Sequence, residues 1–107
     1  MKRGDIAPVV VPGAYGKPRP ALIFQSDLFS EHPSVTILPV TSDLRDAPLF
    51  RLRIEPTPEN GLHSLSDVMI DKILTIPRGK VGSVFGHLED FHIVSAERLI
   101  ALFLGIA

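Results

Sequence analysis

The sequence predicts a mainly β fold, a small barrel or curled sheet, with one helix at the C-terminal end. Short β-rich runs are separated by Pro and Gly at intervals of about ten to fifteen residues, and a helical period appears only near the end of the chain. With 107 residues, 45% of them hydrophobic, the chain has the size of one domain spanning residues 1–107. A core this small makes self-association a natural way to cover apolar surface.

The predicted strands are enriched in β-branched and apolar residues and are bounded by turn residues. They are residues 5–11, 20–25, 35–40, 50–55, 67–71, 72–77 and 81–87, of which 67–77 is a strand or bent strand pair and 81–87 is weak because glycines interrupt it. Pro39 cannot donate to a ladder, so it belongs at an edge or a bulge. Ser26 is placed to N-cap a short helical turn over residues 27–31.

The period changes from 2 to about 3.6 near residue 90. Four apolar residues then fall on one helical face, which should pack on the barrel or across a subunit boundary: Ile93, Ala96, Ile100 and Leu104. Asp90 suits the N-cap and Gly105 the C-cap. The sequence therefore predicts an amphipathic C-terminal helix.

Composition excludes several classes of function. The absence of cysteine rules out disulfides, iron–sulfur clusters and a thiol nucleophile. A formal charge of -1 argues against a protein that coats nucleic acid by bulk electrostatics. Basic residues nevertheless cluster in residues 1–25 and 45–53, which indicates either a solvated strand face or a small anion-binding groove.

Metal, cofactor and membrane signals are missing from the sequence. The histidines at 32, 63, 87 and 92 show no metal-ligand spacing, and no phosphate loop, dinucleotide fingerprint or serine elbow occurs. We therefore expect no metal and no cofactor. Asp5 and Pro8 interrupt the apolar N-terminal run, and residues 99–107 are too few to span a bilayer. A cytoplasmic protein fits these features.

Arg19 is held between two prolines in the run Gly16-Lys17-Pro18-Arg19-Pro20. Pro20 pushes Arg19 toward an extended conformation at a strand entrance, and Pro18 restricts the chain just before it. An immobilised guanidinium suits bidentate binding of phosphate oxygens and stabilisation of charge that develops on phosphorus. The alternative is a structural ion pair with Asp5, Asp43 or Asp71.

Two hydroxyls, Thr41 and Ser42, follow directly after the predicted strand 35–40. They could hydrogen-bond a substrate oxygen, but hydroxyls at such positions also commonly close a turn. The sequence leaves both roles open.

Taken together, these residues resemble the MazF/PemK-type toxins of bacterial toxin–antitoxin modules, over nearly the whole chain. The motifs that carry the resemblance are Arg3-Gly4-Asp5-Ile6, Pro12-Gly13, Lys17-Pro18-Arg19-Pro20-Ala21-Leu22-Ile23, Pro39-Val40-Thr41-Ser42, Glu59-Asn60-Gly61-Leu62, residues 68–76 and the closing amphipathic helix. The resemblance implies an SH3-like barrel with a C-terminal helix that forms homodimers.

The resemblance also implies a metal-independent endoribonuclease that cuts single-stranded RNA, often mRNA, until a cognate antitoxin neutralises it. Such enzymes leave a 2′,3′-cyclic phosphate and a 5′-hydroxyl. The key arginine of the family falls on Arg19 and its key threonine on Thr41, with Ser42 as a second hydroxyl. The general base of some relatives matches Asp71, but their arginine two positions earlier is Met69 here, so the base stays open and Asp71 could equally be a structural carboxylate.

Loops 12–17 and 41–48 should read the unpaired bases and hold the RNA backbone. Tyr15 is the expected stacking residue, and Lys17, Pro18, Arg45 and Lys72 complete the expected RNA-binding set. Phe29, Phe85 and Phe91 are interpreted as core residues. The antitoxin should offer a flexible, partly acidic tail to the same groove.

Two alternative functions fit the same fold. One is a CcdB-like toxin that poisons DNA gyrase by binding through its terminal helix and has no nuclease chemistry. The other is an inactive relative that regulates by binding RNA or protein. The presence of Arg19 and Thr41 at the family positions favours the ribonuclease.

Overall fold

The computed structural model describes residues 1–13 and 16–106, and there it shows seven antiparallel strands in one sheet, followed by an α-helix. The elements are β1 (Asp5–Val9), β2 (Arg19–Ile23), β3 (Ser34–Thr41), β4 (Arg51–Ile54), β5 (Ser66–Met69), β6 (Leu74–Pro77), β7 (Gly86–His87) and α1 (Asp90–Leu104). Short 3₁₀ turns cover Asp27–Phe29, Ile70–Lys72 and Arg78–Lys80. The predicted fold class, a mainly β sheet of small-barrel type with a C-terminal helix, is confirmed.

Strand β3 lies at the centre of the sheet. The strand order is β4-β5-β3-β2-β1-β7, and β6 pairs with β3 beside this path. The register with β6 ends at Ile37 and the register with β5 begins at Val40. Pro39 falls between these two partners, where no strand requires its missing N–H. The predicted edge or bulge is thus a change of partner within a central strand.

The sheet buries an apolar cluster on each face. The larger cluster, against α1, consists of Ile6, Leu22, Leu38, Val40, Ile54, Val68, Ile70, Leu88, Ala96 and Ile100. The smaller one consists of Val9, Ala21, Ile23, Val35, Ile37 and Ile76. Strands β2 and β3 contribute alternate residues to the two clusters, as the period of two in a strand requires. None of the helices among residues 1–13 and 16–106 is long and apolar enough to cross a membrane.

Some predicted element bounds are wrong for local reasons. The strand predicted over residues 81–87 is reduced to β7 and a single bridge from Val81 to Val9. Gly82 donates to the Pro8 carbonyl at 2.7 Å, but Pro8 has no N–H with which to return the bond and continue the ladder. The 3₁₀ turn Ile70–Lys72 separates β5 from β6. Ser26 does cap the turn at Asp27–Phe29, accepting from the amide of Leu28.

The helix begins one residue earlier than predicted, with Glu89 rather than Asp90 as its N-cap, and Gly105 ends it in the left-handed conformation at φ 74°. Leu104, placed on the buried face by its spacing, is 52% exposed, because the sheet does not cover the last turn of α1. Phe29 and Phe91 are also exposed, at 55% and 66%. They lie in a surface 3₁₀ turn and on the outer side of the first helical turn, so their assignment to the core is wrong.

Asp67 of β5 is a fully buried carboxylate. Arg53, directly opposite it on β4, donates from Nε to Oδ1 at 2.7 Å, and Arg51 donates from Nη1 to Oδ2 at 3.2 Å. The backbone amide of Arg45 donates to the same Oδ2 at 3.0 Å. Asp67 therefore joins two strands to the loop that follows β3.

The two arginines also bind that loop directly. Arg53 Nη2 donates to the carbonyl of Arg45 at 3.1 Å, and Arg51 Nη1 donates to the carbonyl of Asp43 at 3.0 Å. Their positive charge is directed onto Asp67 and the loop backbone. Within the basic stretch 45–53, Arg51 and Arg53 are thus held by the fold, whereas the Arg45 side chain is exposed.

Burial by itself would raise the pKa of Asp67, but the bonds from Arg53, the Arg45 amide and Arg51 outweigh it and hold the pKa below its ordinary value. A carboxyl whose pKa is lower in the folded chain stabilises the fold at neutral pH. This stabilisation is lost as the pH falls below the unfolded value of about 4 and through the folded one.

Asp67→Asn should lower the free energy of unfolding at pH 7 by about 3 kcal/mol, because the arginines lose a buried partner. We expect the difference from wild type to shrink as the pH falls below about 4. Urea unfolding between pH 7 and pH 3 measures it. Val68→Ala, a core truncation in the same strand, is the control. Its loss in free energy of unfolding relative to wild type should be the same at every pH. A deficit in Asp67→Asn that does not change with pH would contradict the account.

Candidate active site

A groove with a volume of ≈ 740 Å³ opens where β2 begins and β3 ends. Its floor is largely apolar, with Val9, Pro20, Val40, Met69 and Leu74. The polar side chains that line it include Arg19, Thr41, Ser42, Asp43, His63, Ser64 and Lys72. The groove therefore places cationic and hydroxyl groups beside an apolar surface.

Arg19 is the first residue of β2 and Thr41 is the last residue of β3. The register between the two strands runs from Ile23 opposite Ile37 to Ala21 opposite Pro39. Arg19 and Thr41 each lie two positions beyond this last pair, so each lies on the same face of its strand as Ala21 or Pro39. Both residues line the groove.

The Arg19 side chain is exposed, and it forms no ion pair with any residue in 1–13 or 16–106. None of the three carboxylates considered as a partner of Arg19 forms an ion pair with it. Asp5 accepts from His87, Asp43 lies 3.7 Å from Arg45, and Asp71 has no ion pair within the described ranges. The structural ion pair considered for Arg19 is not formed, so its guanidinium is open to the groove.

Thr41 closes a turn and also lines the groove. Its Oγ1 accepts a hydrogen bond from the amide of Asp43 at 3.1 Å, which closes the turn. The same residue lines the groove together with the exposed Ser42. The bond from Asp43 occupies an acceptor site of the hydroxyl, so its proton can still be donated to a ligand.

Asp71 does not line the groove. It lines an adjoining pocket of ≈ 470 Å³ with Arg45 and Arg51, and Thr41, Met69 and Lys72 line both spaces. The Oδ1 of Asp71 and the Nε of Arg51 are buried and have no hydrogen-bond partner in the described structure. The two spaces form one continuous edge around Thr41 and Lys72.

The expected RNA-binding residues fall in different places. Lys72 lines the groove and Arg45 the adjoining pocket. Lys17 and Pro18 are exposed next to Arg19 but do not line the groove. Tyr15 lies outside the described residues. Within residues 1–13 and 16–106, no group of three or more His, Asp or Glu side chains is placed to hold a metal ion.

Residues 61–64 and Phe85 form a wall of the groove that the sequence did not predict. Asn60 holds it in place: this fully buried amide accepts from the amides of Thr57 and Leu62, each at 3.0 Å. It donates to the Glu55 carbonyl at 2.9 Å and to Glu89 Oε1 at 3.3 Å. The Asn60-Gly61 pair was the available signal, because a buried asparagine often stabilises the turn of an irregular loop.

Glu89 links this wall to the helix. Its Oε2 accepts from the hydroxyl of Thr57 at 2.6 Å. Burial would raise the pKa of Glu89, but the bonds from Thr57, its own backbone amide and Asn60 lower it overall. The side chain therefore stays ionised at neutral pH and fastens the loop to the start of α1.

Comparison with known proteins gives a consistent result. A family model described as "PemK-like, MazF-like toxin of type II toxin-antitoxin system" matches residues 2–104. A Mycolicibacterium smegmatis protein named "Probable endoribonuclease MazF" is 49% identical over 108 aligned residues, covering 100% of this chain and 99% of that protein.

Solved structures confirm the fold. The Mycobacterium tuberculosis toxin MazF-mt6 superposes with a TM-score of 0.82 at 24% identity, over 96% of this chain and 98% of that one. A mycobacterial endoribonuclease solved in complex with its cognate antitoxin also gives 0.82, at 20% identity, over 100% and 97% of the two chains. The family match over almost the whole length, with Arg19 and Thr41 facing one groove, shows that this chain belongs to the PemK-like, MazF-like toxins of type II toxin–antitoxin systems.

Proposed function

We propose that this chain is an endoribonuclease toxin that cleaves single-stranded RNA, mRNA included, without a metal ion. The observation that carries the proposal is the joint placement of Arg19, Thr41 and Ser42 in one groove, with no carboxylate of the described chain paired to Arg19. A full-length relative at 49% identity that is named an endoribonuclease supports the same activity.

The proposed reaction is an internal displacement at phosphorus. The ribose 2′-oxygen attacks the adjacent phosphorus, the bond from phosphorus to the 5′-oxygen breaks, and the products are a 2′,3′-cyclic phosphate and a 5′-hydroxyl. The RNA supplies its own nucleophile, so the protein has to stabilise charge and move two protons. Three proposed roles follow from this balance.

Arg19 would bind the non-bridging oxygens of the pentacoordinate phosphorus and stabilise their charge. Thr41 and Ser42 would donate hydrogen bonds to the same oxygens. Lys72 lines the groove at the point where the adjoining pocket begins, so it would hold a neighbouring phosphate. Lys17 and Arg45 would extend this contact along the RNA backbone, and the apolar ring of Pro18 would pack against the bound RNA.

We propose Asp71 as the general base that takes the proton of the 2′-hydroxyl. Its carboxylate forms no ion pair within residues 1–13 and 16–106, and its pocket shares Thr41 and Lys72 with the groove. A protonated arginine is a poor base because its pKa lies above about 12. Arg19 therefore acts chiefly through its charge. It would also pass a proton to the leaving 5′-oxygen, which becomes the 5′-hydroxyl, and would regain a proton from water.

The proposal includes a homodimer, a cytoplasmic location and a cognate antitoxin. Several large apolar side chains of α1 and the residues after it are exposed, as a subunit interface would require: Phe91, Val94, Leu102, Phe103, Leu104 and Ile106. A mycobacterial structural relative was solved with its antitoxin. An acidic antitoxin segment would complement the groove around Arg19 and Lys72.

Arg19→Ala should lower kcat/KM for RNA cleavage by about 100- to 1,000-fold, because the charge that develops on phosphorus loses its fixed partner. The kcat/KM of Arg19→Lys should lie between those of wild type and Arg19→Ala, since an ammonium keeps the charge without the bidentate geometry of the guanidinium. Gel assays on single-stranded RNA measure the rates. Arg98→Ala, an exposed helix position, should cleave like wild type. Full activity in Arg19→Ala would contradict the proposed site.

The fragment ends test the chemistry separately. With EDTA present, wild type should leave 5′-hydroxyl ends that a polynucleotide kinase labels directly and 3′ ends that are cyclic phosphates. A single 2′-deoxy nucleotide at the cut should abolish cleavage there, because the nucleophile is gone. End mapping by mass spectrometry checks both results. Fragments with 5′-phosphates, or a diverse RNA pool left intact by protein that traps gyrase, would overturn the ribonuclease proposal.

A further inference from the structure

Phe85 is an aromatic residue that lies at the groove rather than in the core. It precedes β7, is 44% exposed and lines the groove that Arg19 and Thr41 line. Its assignment to the core from the sequence is therefore wrong. Exposing a large apolar ring to water costs free energy unless a ligand covers it in use.

The backbone around Phe85 is held on both sides. Its amide donates to the carbonyl of Ile6 at 2.9 Å. The next residue, Gly86, packs so closely on the Asn60 backbone that an added Cβ would lie 2.0 Å from the Asn60 carbonyl oxygen. The amide of His87 donates to the Glu59 carbonyl at 2.9 Å. The loop therefore holds the ring at one position of the groove wall.

The ring itself rests on Gly61. A Cβ at Gly61 would lie 2.9 Å from Cδ1 of Phe85 and 2.6 Å from its carbonyl oxygen. Gly61 also has a φ of +69°, which favours glycine for a second reason. The backbone of Gly61 thus supports one side of the ring, and Phe85 remains 44% exposed where it lines the groove.

The other residues of the groove identify what would cover this ring. Arg19, Lys72 and the hydroxyls of Thr41 and Ser42 line the same groove and suit the phosphate of a nucleic acid. In single-stranded RNA, unpaired bases commonly stack on an aromatic side chain beside the bound backbone. Phe29 and Phe91 are more exposed than Phe85, but neither lines the groove.

We propose that Phe85 is the platform on which one unpaired base of the RNA substrate stacks, next to the phosphate held by Arg19. This inference rests on the proposed ribonuclease function and deepens it. Gly61 and Gly86 are positioning residues, since they let the loop and the ring take this place. A planar apolar ring recognises any base by its face, so Phe85 contributes affinity and register rather than the identity of the base.

The test compares Phe85→Leu, Phe85→Trp and the control Phe29→Leu, because Phe29 is 55% exposed, does not line the groove and lies outside the proposed subunit interface. The cleavage site is first mapped with wild type on a long single-stranded RNA. Binding is then measured to a short RNA that carries a 2′-O-methyl group at the cut nucleotide and cannot be cleaved. Phe85→Leu should raise Kd by about 5- to 100-fold, the loss of one stacked base. Phe85→Trp should retain affinity, because it retains the π-face, and Phe29→Leu should bind like wild type.

Abasic nucleotides identify the stacked base. Each nucleotide of the short RNA is replaced in turn by an abasic one. At one position next to the cut, this should weaken RNA binding by wild type as much as Phe85→Leu weakens it on the intact RNA. At this position alone, the abasic nucleotide should cause no further loss of RNA affinity in Phe85→Leu, because the stacking contact is already absent. Thermal melting of each variant shows that it folds, and size-exclusion chromatography gives its oligomeric state.

Three outcomes would overturn the inference. Phe85→Leu could bind the RNA like wild type. Every abasic replacement could also weaken binding by Phe85→Leu as much as it weakens binding by wild type. Phe85→Leu could also weaken binding only by changing the oligomeric state, which would make Phe85 an interface residue between copies. In each of these cases wild type still cleaves RNA and the proposed function stands. A wild type that neither binds nor cleaves RNA would overturn the proposed function, and the inference with it.

Discussion

The architecture depends on one constraint, the pairing of the central strand β3 with three other strands. Along one edge it binds β2, and along the other it binds first β6 and then β5. Pro39 occupies the point where the partner changes, so the ladder loses no donor there. The register with β5 places Thr41 opposite Asp67, and beyond the last pair with β2, Thr41 and Arg19 line one groove. The groove and the polar cluster that supports its rim therefore follow from the pairing of one strand.

Two buried polar side chains shape the loops around that groove. Asp67 binds the backbone of the loop after β3 through its own carboxylate and through Arg51 and Arg53. Asn60 holds the wall where Gly61 supports Phe85. A loop held by satisfied buried hydrogen bonds keeps its shape before a ligand arrives, and this lowers the entropy lost on binding. In this account one wall supplies charge and the other an aromatic surface.

Strand and helix periods predicted the mainly β sheet and the C-terminal helix, because both depend on patterns local to the sequence. The prolines around Arg19 and the hydroxyls after the strand also located one side of the groove. The pairing of Asp67 with Arg51 and Arg53 was not predictable, since a strand pattern does not reveal which charged residue of another strand lies opposite. Phe85 was misassigned because its environment is set by close backbone contacts at Gly61 and Gly86, which join segments far apart in the chain. The SH3-like, toxin-type expectation came from resemblance, and the family match confirms it.

The most direct test is a structure of the protein with a short single-stranded RNA that spans the mapped cut and carries a 2′-O-methyl group there. We expect the scissile phosphate to lie in the groove, within hydrogen-bond distance of the Arg19 guanidinium and the Thr41 hydroxyl. An adjacent base should stack on the Phe85 ring. RNA bound elsewhere on the surface, with the groove empty or filled by a second copy of the chain, would contradict it.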